Sequence, residues 1–266
     1  MPVDEAKVGV EDIGLLRGYG LYEGLMAFDG KPFRFADHWD RFLSGAHVLN
    51  LNVPVTQEKA EKVIGEILQK SGLNNRANLR MILTGGKAIN GIEYDFDNPT
   101  FYILAEEWKH PLAEIYEKGT KLITYKTMRE LPEYKTTNYI RAVNLQNFKK
   151  EEKAIDILYV CDGEVYECAT SNIFIVKNKV IITPEENILK GITRKVVLEL
   201  AEGKYEIEKR PIEEGELKTA DEVFITSSFK DVVPVVKIDD FAVAGGEVGP
   251  ITKDLMAKFR AYISVA

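Results

Sequence analysis

The chain has 266 residues, of which 45% are hydrophobic and 29% charged, and its formal net charge is -7. This composition is typical of a folded globular protein with room for one large domain or two smaller ones. Nucleic acids and anionic membranes bind basic surfaces, so the acidic balance argues against both as partners. We therefore expect a small-molecule ligand.

The sequence also gives little support for a metal site or for secretion. The two cysteines, Cys161 and Cys168, are too few for a disulfide framework, and His38, His47 and His110 form no ligand cluster. The N-terminal residues lack the pattern of a signal peptide, and no apolar run approaches the ~20 residues that span a bilayer. We expect a cytoplasmic protein without a metal.

The first part of the chain reads as an α+β unit. LYEGLMAFDGKPFRF predicts two strands around an Asp-Gly turn, and ADHWDRFLSGAHVLNL predicts a helix with Asp37 as its N-cap. A second helix is predicted from near Thr56 to Gly72, because glycine readily adopts the left-handed C-cap conformation. NLRMILTGG and PTFYILAE are predicted strands.

The pattern of elements changes around EEWKHPLAE, which predicts a domain boundary. KLITYKT reads as a strand, NYIRAVNLQNFKKEE as a helix, and AIDILYVCDGEVYECATSNIFIVKNKVIITP as short strands of a barrel-like mixed sheet. A helix then begins at Gly191, and the strand DEVFITSS and a C-terminal helix through LMAKFRAYI follow. We predict an α/β protein with a small N-terminal domain over 1–106, a linker over 107–116 and a larger C-terminal domain over 117–266.

Three features of different chemistry point together to an aldehyde cofactor that carries a phosphate. Thr193 follows a glycine at a helix start, where backbone N–H groups and the helix dipole attract an anion. Lys135, at a turn before a helix, could form a Schiff base. Glu167, at the end of a strand, could keep a pyridine nitrogen protonated. Each feature is common alone, and their joint occurrence is the signal.

Six motifs occur in the order found in one known family. They are RGYGLYEG at 17–24, HWDRF at 38–42, PEYKTTNY at 132–139, GEVYECATSNIF at 163–174, ILKGITR at 188–194 and EVFITSS at 222–228. With these motifs the chain resembles, over nearly its whole length, the class IV aminotransferases. These are two-domain enzymes of fold type IV that use pyridoxal 5′-phosphate (PLP).

The resemblance implies a role for each matching residue. Lys135 corresponds to the Schiff-base lysine, which also moves a proton between substrate and cofactor in a ping-pong transamination. Glu167 corresponds to the partner of the pyridine nitrogen, and Tyr139 to a tyrosine that hydrogen-bonds the phenolic oxygen of the cofactor. The implied phosphate ligands are Arg41, Ile192, Thr193 and Ser228.

Substrate choice is less well marked than the cofactor site. The sequence Tyr22-Glu23-Gly24 resembles the transaminases rather than the aminodeoxychorismate lyases of the family. Met26 stands where branched-chain L-amino acid enzymes usually have an arginine, and 84–88 lacks the arginine and histidine of the common D-amino acid enzymes. The combination of 17–20 with 83–86 resembles a less common D-amino acid transaminase group, in which the early arginine takes the substrate carboxylate.

We therefore expect a transaminase that passes an amino group from a D-amino acid to a 2-oxo acid such as 2-oxoglutarate or pyruvate. A branched-chain L-amino acid aminotransferase, an aminodeoxychorismate lyase and a non-catalytic homologue are the alternatives. The resemblance also implies a homodimer with active sites at the interface, in which Arg17 reaches the neighbouring subunit's site. The expected substrate ligands are Arg17, Tyr22, Arg80, Ser227 and Phe229.

Overall fold

The computed structural model describes residues 1–73 and 75–264, and the chain divides into two compact units. Unit 1 comprises Met1–Lys109 and Tyr134–Tyr139, and unit 2 comprises His110–Glu133 and Ile140–Ala266. The segment that carries Lys135 thus packs with the N-terminal part of the chain. No helix within the described ranges is both long and apolar enough to cross a membrane.

Unit 1 contains an antiparallel four-stranded sheet with the strand order β2-β1-β3-β4. Apolar side chains on one face of β1 and β3 pack against α2 and α3, with Trp39, Phe42, Ile64 and Leu68 fully or almost fully buried. Its elements are α1 (Ile13–Arg17), β1 (Gly20–Phe28), β2 (Lys31–Pro32), α2 (Phe35–Val48), α3 (Gln57–Ser71), β3 (Arg76–Thr84) and β4 (Thr100–Glu107).

The predicted helix N-cap at Asp37 is wrong. The N-cap is Arg34, three residues earlier and in the left-handed conformation, so α2 begins at Phe35 and Asp37 lies in its first turn. Phe35 is buried and packs on Trp39, with ring centroids 5.8 Å apart, so apolar burial extends the helix toward its N-terminus. Asp37 pairs with Arg34 across 3.5 Å instead of capping.

Two other local predictions are confirmed. The Asp29-Gly30 turn joins β1 and β2, and both of its residues have positive φ. α3 is capped by the Thr56 hydroxyl, which accepts a hydrogen bond from the Lys59 amide over 3.3 Å, and it ends at Gly72 with φ 69°. Thr56 and Gly72, which directly flank α3 in the sequence, therefore determine where this helix begins and ends.

Unit 2 contains a ten-stranded sheet with both parallel and antiparallel strand pairs, as the prediction of a mixed sheet requires. The main strand order is β10-β9-β8-β12-β13-β5-β6-β7-β11, and β14 pairs with β13. Its elements are α4 (Glu114–Glu117), β5 (Thr120–Lys126), α5 (Ile140–Asn144), α6 (Gln146–Glu151), β6 (Asp156–Cys161), β7 (Glu164–Cys168), β8 (Asn172–Lys177), β9 (Val180–Thr183), α7 (Ile192–Ala201), β10 (Ile207–Lys209), β11 (Ile212–Glu213), β12 (Glu222–Ser227), β13 (Asp231–Ile238), β14 (Phe241–Ala242) and α8 (Pro250–Ile263).

The helix predicted over NYIRAVNLQNFKKEE differs in the structure. It consists of the two short helices α5 and α6, separated at Leu145. Leu145 is buried and its backbone sits at φ -86° and ψ 2°, outside the helical region, so the helix is interrupted at this residue. The predicted helix start at Gly191 is confirmed, because Gly191 is the N-cap of α7.

Candidate active site

The segment that carries Lys135 is held on β1 by its backbone. β2 covers only the far end of β1, at Ala27 and Phe28, so the edge at its start is open to another partner. The Tyr22 amide donates to the Lys135 carbonyl over 3.0 Å, and the Thr137 amide donates to the Gly20 carbonyl over 2.9 Å. The segment therefore extends the sheet at this edge, and these bonds fix the backbone of Lys135.

Close approach at this edge depends on a glycine. A Cβ built at Gly20 would lie 2.7 Å from the Leu83 carbonyl oxygen and 3.3 Å from the Thr137 hydroxyl. The Thr137 hydroxyl donates to the Gly18 carbonyl over 2.7 Å, which ties the segment to the start of β1 a second time. A larger residue at position 20 would collide first with the β3 backbone at Leu83 and would also crowd Thr137 of the lysine segment.

Two predicted site residues surround the Lys135 side chain in unit 1. The Lys135 amine lies 4.4 Å from the centre of the Tyr22 ring. The Tyr22 hydroxyl donates to the Tyr139 hydroxyl over 2.8 Å, and the two rings meet edge to face with centroids 5.5 Å apart. The structure thus brings together the predicted catalytic lysine, the predicted cofactor ligand Tyr139 and the predicted substrate ligand Tyr22.

Arg41, the predicted phosphate ligand of α2, is paired with a fully buried carboxylate. Its guanidinium contacts Glu23 through Nε to Oε2 at 3.0 Å and Nη2 to Oε1 at 2.5 Å. His38, which is also buried, places Nδ1 2.9 Å from Oε1 of Glu23. One face of β1 thereby fixes the arginine by a two-point ion pair.

The charges of this cluster follow from burial and pairing. Burial alone raises the pKa of Glu23, but the Arg41 charge and the hydrogen bonds from His38 and Arg41 outweigh it and lower the pKa to about 2. Burial lowers the pKa of His38 more than Glu23 raises it. At neutral pH the cluster therefore consists of an ionised Glu23, a charged Arg41 and a neutral His38.

Glu167 lies near the end of β7 in unit 2 and is almost fully buried. Its Oε1 accepts from Arg129 Nε over 2.8 Å, and its Oε2 accepts from the Leu189 amide over 3.0 Å. The Leu189 carbonyl in turn accepts from the Asn172 side-chain amide over 2.7 Å. The loop that precedes α7 is thus tied directly to the predicted partner of the pyridine nitrogen.

The predicted phosphate-binding groups of unit 2 lie on neighbouring elements. Ile192 and Thr193 form the first turn of α7, whose N-cap Gly191 provides no side chain to cap the helix amides. Thr226, near the end of β12, pairs in register with Asn172, which contacts the loop before α7. The α7 start, the β12 end and Glu167 therefore belong to one region of unit 2.

Ser227, Ser228 and Phe229 lie at the turn between β12 and β13, and all three are partly buried. Among the described residues, the side-chain oxygens of Ser227 and Thr226 are buried and have no hydrogen-bond partner. Buried hydroxyl groups ordinarily find a partner. This turn consequently offers polar groups suited to a bound ligand.

The two predicted carboxylate ligands of unit 1 have different surroundings. Arg80 on β3 forms an ion pair with Glu106 at 2.9 Å, with about two fifths of each side chain exposed. Arg17 is exposed at the end of α1, where its Nη1 donates to the Leu16 carbonyl over 2.9 Å. The positive charge of Arg80 is thus already paired within unit 1.

Comparison with known proteins identifies the family. The family model for Amino-transferase class IV matches residues 20–238. The chain belongs to the class IV aminotransferases. A class IV aminotransferase is an enzyme that uses PLP, so both the expected activity class and the expected cofactor are confirmed.

Relatives of this class IV aminotransferase carry two kinds of substrate name. A protein of Methanocaldococcus jannaschii named "Putative branched-chain-amino-acid aminotransferase" is 38% identical, with 97% of this chain and 92% of that protein covered. The D-alanine aminotransferase of Staphylococcus haemolyticus is 32% identical, with 98% and 94% covered. Both alignments span almost the full length of each chain.

Solved structures of the same family share the fold. The T.th. branched-chain amino acid aminotransferase with pyridoxamine 5′-phosphate has a TM-score of 0.91 and 28% identity, covering 100% of this chain and 92% of that chain. The branched-chain aminotransferase of Thermoproteus uzoniensis with norvaline has a TM-score of 0.87 and 26% identity, covering 99% and 91%. The predicted fold class is therefore confirmed.

The residues of this class IV aminotransferase fit the chemical groups of PLP. The uncapped start of α7 and the unpartnered hydroxyls of Thr226 and Ser227 suit a phosphate, which needs several hydrogen-bond donors. The buried carboxylate of Glu167 suits a protonated ring nitrogen, and the Lys135 amine suits an aldehyde. In the described ranges, no group of three or more His, Cys, Asp and Glu side chains is placed to hold a metal ion.

Sequence reasoning assigned no role to two residues that contact predicted site residues in the structure, Glu23 beside Arg41 and Arg129 beside Glu167. Glu23 occupies a helix-facing position of β1, where its neighbours Leu21, Leu25 and Ala27 are apolar core residues. A charge in such a position is a usable sequence signal. Arg129 lies in an irregular loop six residues before Lys135, and its contact with Glu167 has no local signature.

The Glu23 cluster gives a prediction about stability. We expect Glu23→Gln to lower the free energy of unfolding of the apoprotein by about 3 kcal/mol, because Arg41 then loses its buried partner. The folded-state pKa of Glu23, about 2, lies below its ordinary value of 4.5. The contribution of Glu23 to the free energy of unfolding is therefore complete above pH 4.5 and is lost as pH falls toward 2. The stability of Glu23→Gln should not show this loss.

Urea unfolding curves at a series of pH values measure both effects. Glu61→Gln, a change at an exposed position of α3, is the matched control and should unfold like the wild type. Equal unfolding midpoints for Glu23→Gln and the wild type would show that the buried pair does not stabilise unit 1.

Proposed function

We propose that this aminotransferase moves an amino group between a D-amino acid and a 2-oxo acid, with Lys135 as its catalytic residue. The observation that carries the proposal is the placement of Lys135. Its backbone is bonded to β1, and its amine faces the Tyr22 ring beside the Tyr139 hydroxyl. A lysine fixed in this way has a defined position from which to act on a substrate.

Bound PLP supplies an aldehyde that accepts the amino group and a pyridine ring that withdraws electrons from the substrate α-carbon. With PLP bound, the Lys135 amine would take the proton from the α-carbon of the incoming amino acid and move it toward the cofactor. The Glu167 carboxylate would hold the ring nitrogen in its protonated form. In the second half of the cycle, Lys135 would move the proton in the opposite direction.

From the family resemblance, the proposed phosphate ligands are Arg41, Ile192, Thr193 and Ser228. Arg41 presents a guanidinium fixed by Glu23, and the amides of Ile192 and Thr193 lie at the positive end of α7. Ser228, beside the unpartnered hydroxyl of Ser227, adds a donor from the β12–β13 turn. Because Arg41 and the α7 amides are each oriented within their own unit, little side-chain ordering is needed when the phosphate binds.

The proposed preference for D-amino acids rests on the motifs around Arg17 and on whether Arg17 and Arg80 already pair with a carboxylate. Among the described residues, no carboxylate lies within ion-pair distance of Arg17, whereas Arg80 is paired with Glu106. Arg17 is therefore the better candidate to bind a substrate carboxylate. We propose, from the family resemblance, that it does so in the partner subunit of a homodimer.

The second candidate function is transamination of branched-chain L-amino acids. It is favoured by the identity of 38% to the Methanocaldococcus jannaschii protein of that name. Against it stands Met26, a buried apolar side chain on β1 where the branched-chain enzymes usually have an arginine. Both candidates use the same roles for Lys135 and Glu167, so substrate tests separate them.

Substitution of the catalytic lysine tests the mechanism. We expect Lys135→Ala to reduce the transamination rate by about 10²-fold or more, because general acid–base catalysis is lost. Steady-state assays with 2-oxoglutarate measure the effect, and Lys253→Ala, an exposed lysine of α8, is the matched control. Undiminished activity of Lys135→Ala would exclude the proposed role.

The substrate proposal is tested by half-reactions with single amino acids. We expect D-alanine and D-glutamate to bleach the visible PLP band, and L-leucine and L-valine to leave it nearly unchanged. Arg17→Gln should raise KM for the D-amino acid about tenfold or more, as expected when a charged hydrogen bond is lost. Arg210→Gln, a partly exposed arginine paired with Glu216, is the control.

Three results would contradict the substrate proposal. Reaction with the L-amino acids alone would establish the branched-chain alternative. An increase of KM in Arg80→Gln but not in Arg17→Gln would move the carboxylate site to Arg80. Release of pyruvate from aminodeoxychorismate without an amino acceptor would instead identify a lyase.

A further inference from the structure

Arg129 contacts the carboxylate of Glu167 at two nitrogen atoms. Its Nε lies 2.8 Å and its Nη2 lies 2.7 Å from the same oxygen, Oε1. Both side chains are largely buried, with 13% of Arg129 and 6% of Glu167 exposed. A guanidinium in this position is the counter-charge that allows the carboxylate to remain ionised inside unit 2.

The other carboxylate oxygen is held from a different direction. Oε2 of Glu167 accepts from the Leu189 amide over 3.0 Å, and the Leu189 carbonyl accepts from the side chain of Asn172 over 2.7 Å. Donors on both oxygens prevent the carboxylate from turning about its last bond. Arg129 therefore supplies the counter-charge and, together with the Leu189 amide, fixes the orientation of the Glu167 carboxylate.

Arg129 also closes the loop in which it lies. Its Nη2 donates to the carbonyl of Pro132, and the intervening Leu131 adopts a positive φ of 48°. A non-glycine residue in this conformation needs support from surrounding contacts. The loop therefore holds Arg129 with its side chain directed at Glu167, although no regular element contains it.

We propose that Arg129 is a positioning residue for the cofactor, which acts through Glu167 by keeping its carboxylate ionised and aimed at the pyridine nitrogen. The inference rests on the proposed function of Glu167. The competing role is purely structural, in which Arg129 only closes the loop over 129–132. The two roles predict different results once Glu167 is replaced by a neutral residue. If Arg129 acts through Glu167, its substitution then has no further effect on PLP binding, whereas a purely structural role predicts that the effect remains.

A double-mutant cycle on the full-length protein separates the two roles. The variants are Arg129→Gln, Glu167→Gln and the double variant, with Arg210→Gln as the control for loss of a paired arginine elsewhere in unit 2. PLP dissociation constants come from titration of the apoprotein, and the pH dependence of the visible PLP band is recorded for each holoprotein. Unfolding midpoints of the apoproteins report any general loss of stability.

We expect Arg129→Gln and Glu167→Gln each to weaken PLP binding about tenfold, which corresponds to one charge-assisted hydrogen bond. The double variant should bind PLP no more weakly than Glu167→Gln alone. Arg129→Gln should shift the pH dependence of the visible band in the presence of Glu167 but not in the Glu167→Gln background. Arg210→Gln should leave both readouts unchanged.

Additive effects on PLP binding, or an unshifted pH dependence in Arg129→Gln, would overturn the inference while leaving the proposed function intact. Unchanged PLP binding and an unchanged band in Glu167→Gln would instead contradict the proposed role of Glu167. If Arg129→Gln does not fold, Arg129→Met goes through the same cycle, because methionine keeps an unbranched side chain but removes the charge and both hydrogen bonds.

Discussion

The need to compensate buried carboxylates is the constraint on which the rest of the site depends. An ionised carboxylate away from water is unfavourable unless a partner neutralises it and donates hydrogen bonds. Each unit contains such a group in contact with or among the predicted site residues, Glu23 with Arg41 in unit 1 and Glu167 with Arg129 in unit 2. In both pairs the arginine contacts the carboxylate through two nitrogen atoms, so the requirement for charge compensation also fixes the geometry of the functional side chains.

The position of the proposed catalytic lysine has a different physical origin. Lys135 lies in an irregular segment, and its precision comes from backbone hydrogen bonds to the open edge of β1. Gly20 permits the close approach, and the Thr137 hydroxyl adds a further bond. Ion pairs thus orient the charged side chains, whereas backbone hydrogen bonds to β1 orient the lysine segment. These backbone hydrogen bonds do not depend on pH over the range in which carboxylates titrate.

Much of the fold was accessible from the sequence, because local chemistry determined it. The Asp-Gly turn, the Thr56 cap and the glycine before α7 act within a few residues, and the structure contains each of them. The start of α2 was not predicted because Phe35, which is buried against Trp39, extends the helix past the expected cap. The break at Leu145 was not predicted because no glycine or proline marks it. Arg129 could not be found for a related reason: its partner lies 38 residues away and the loop between its own contacts has no periodic pattern.

Reduction of the holoenzyme with borohydride, followed by digestion and mass spectrometry, tests the central claim most directly. Borohydride fixes PLP to the lysine that holds it, and the account predicts a single modified peptide that contains Lys135. The wild-type protein should lose its visible band in the same step. Modification of a different lysine, with the Lys135 peptide unmodified, would contradict the assignment of the site on which the proposed roles of Glu167, Arg41 and Arg129 depend.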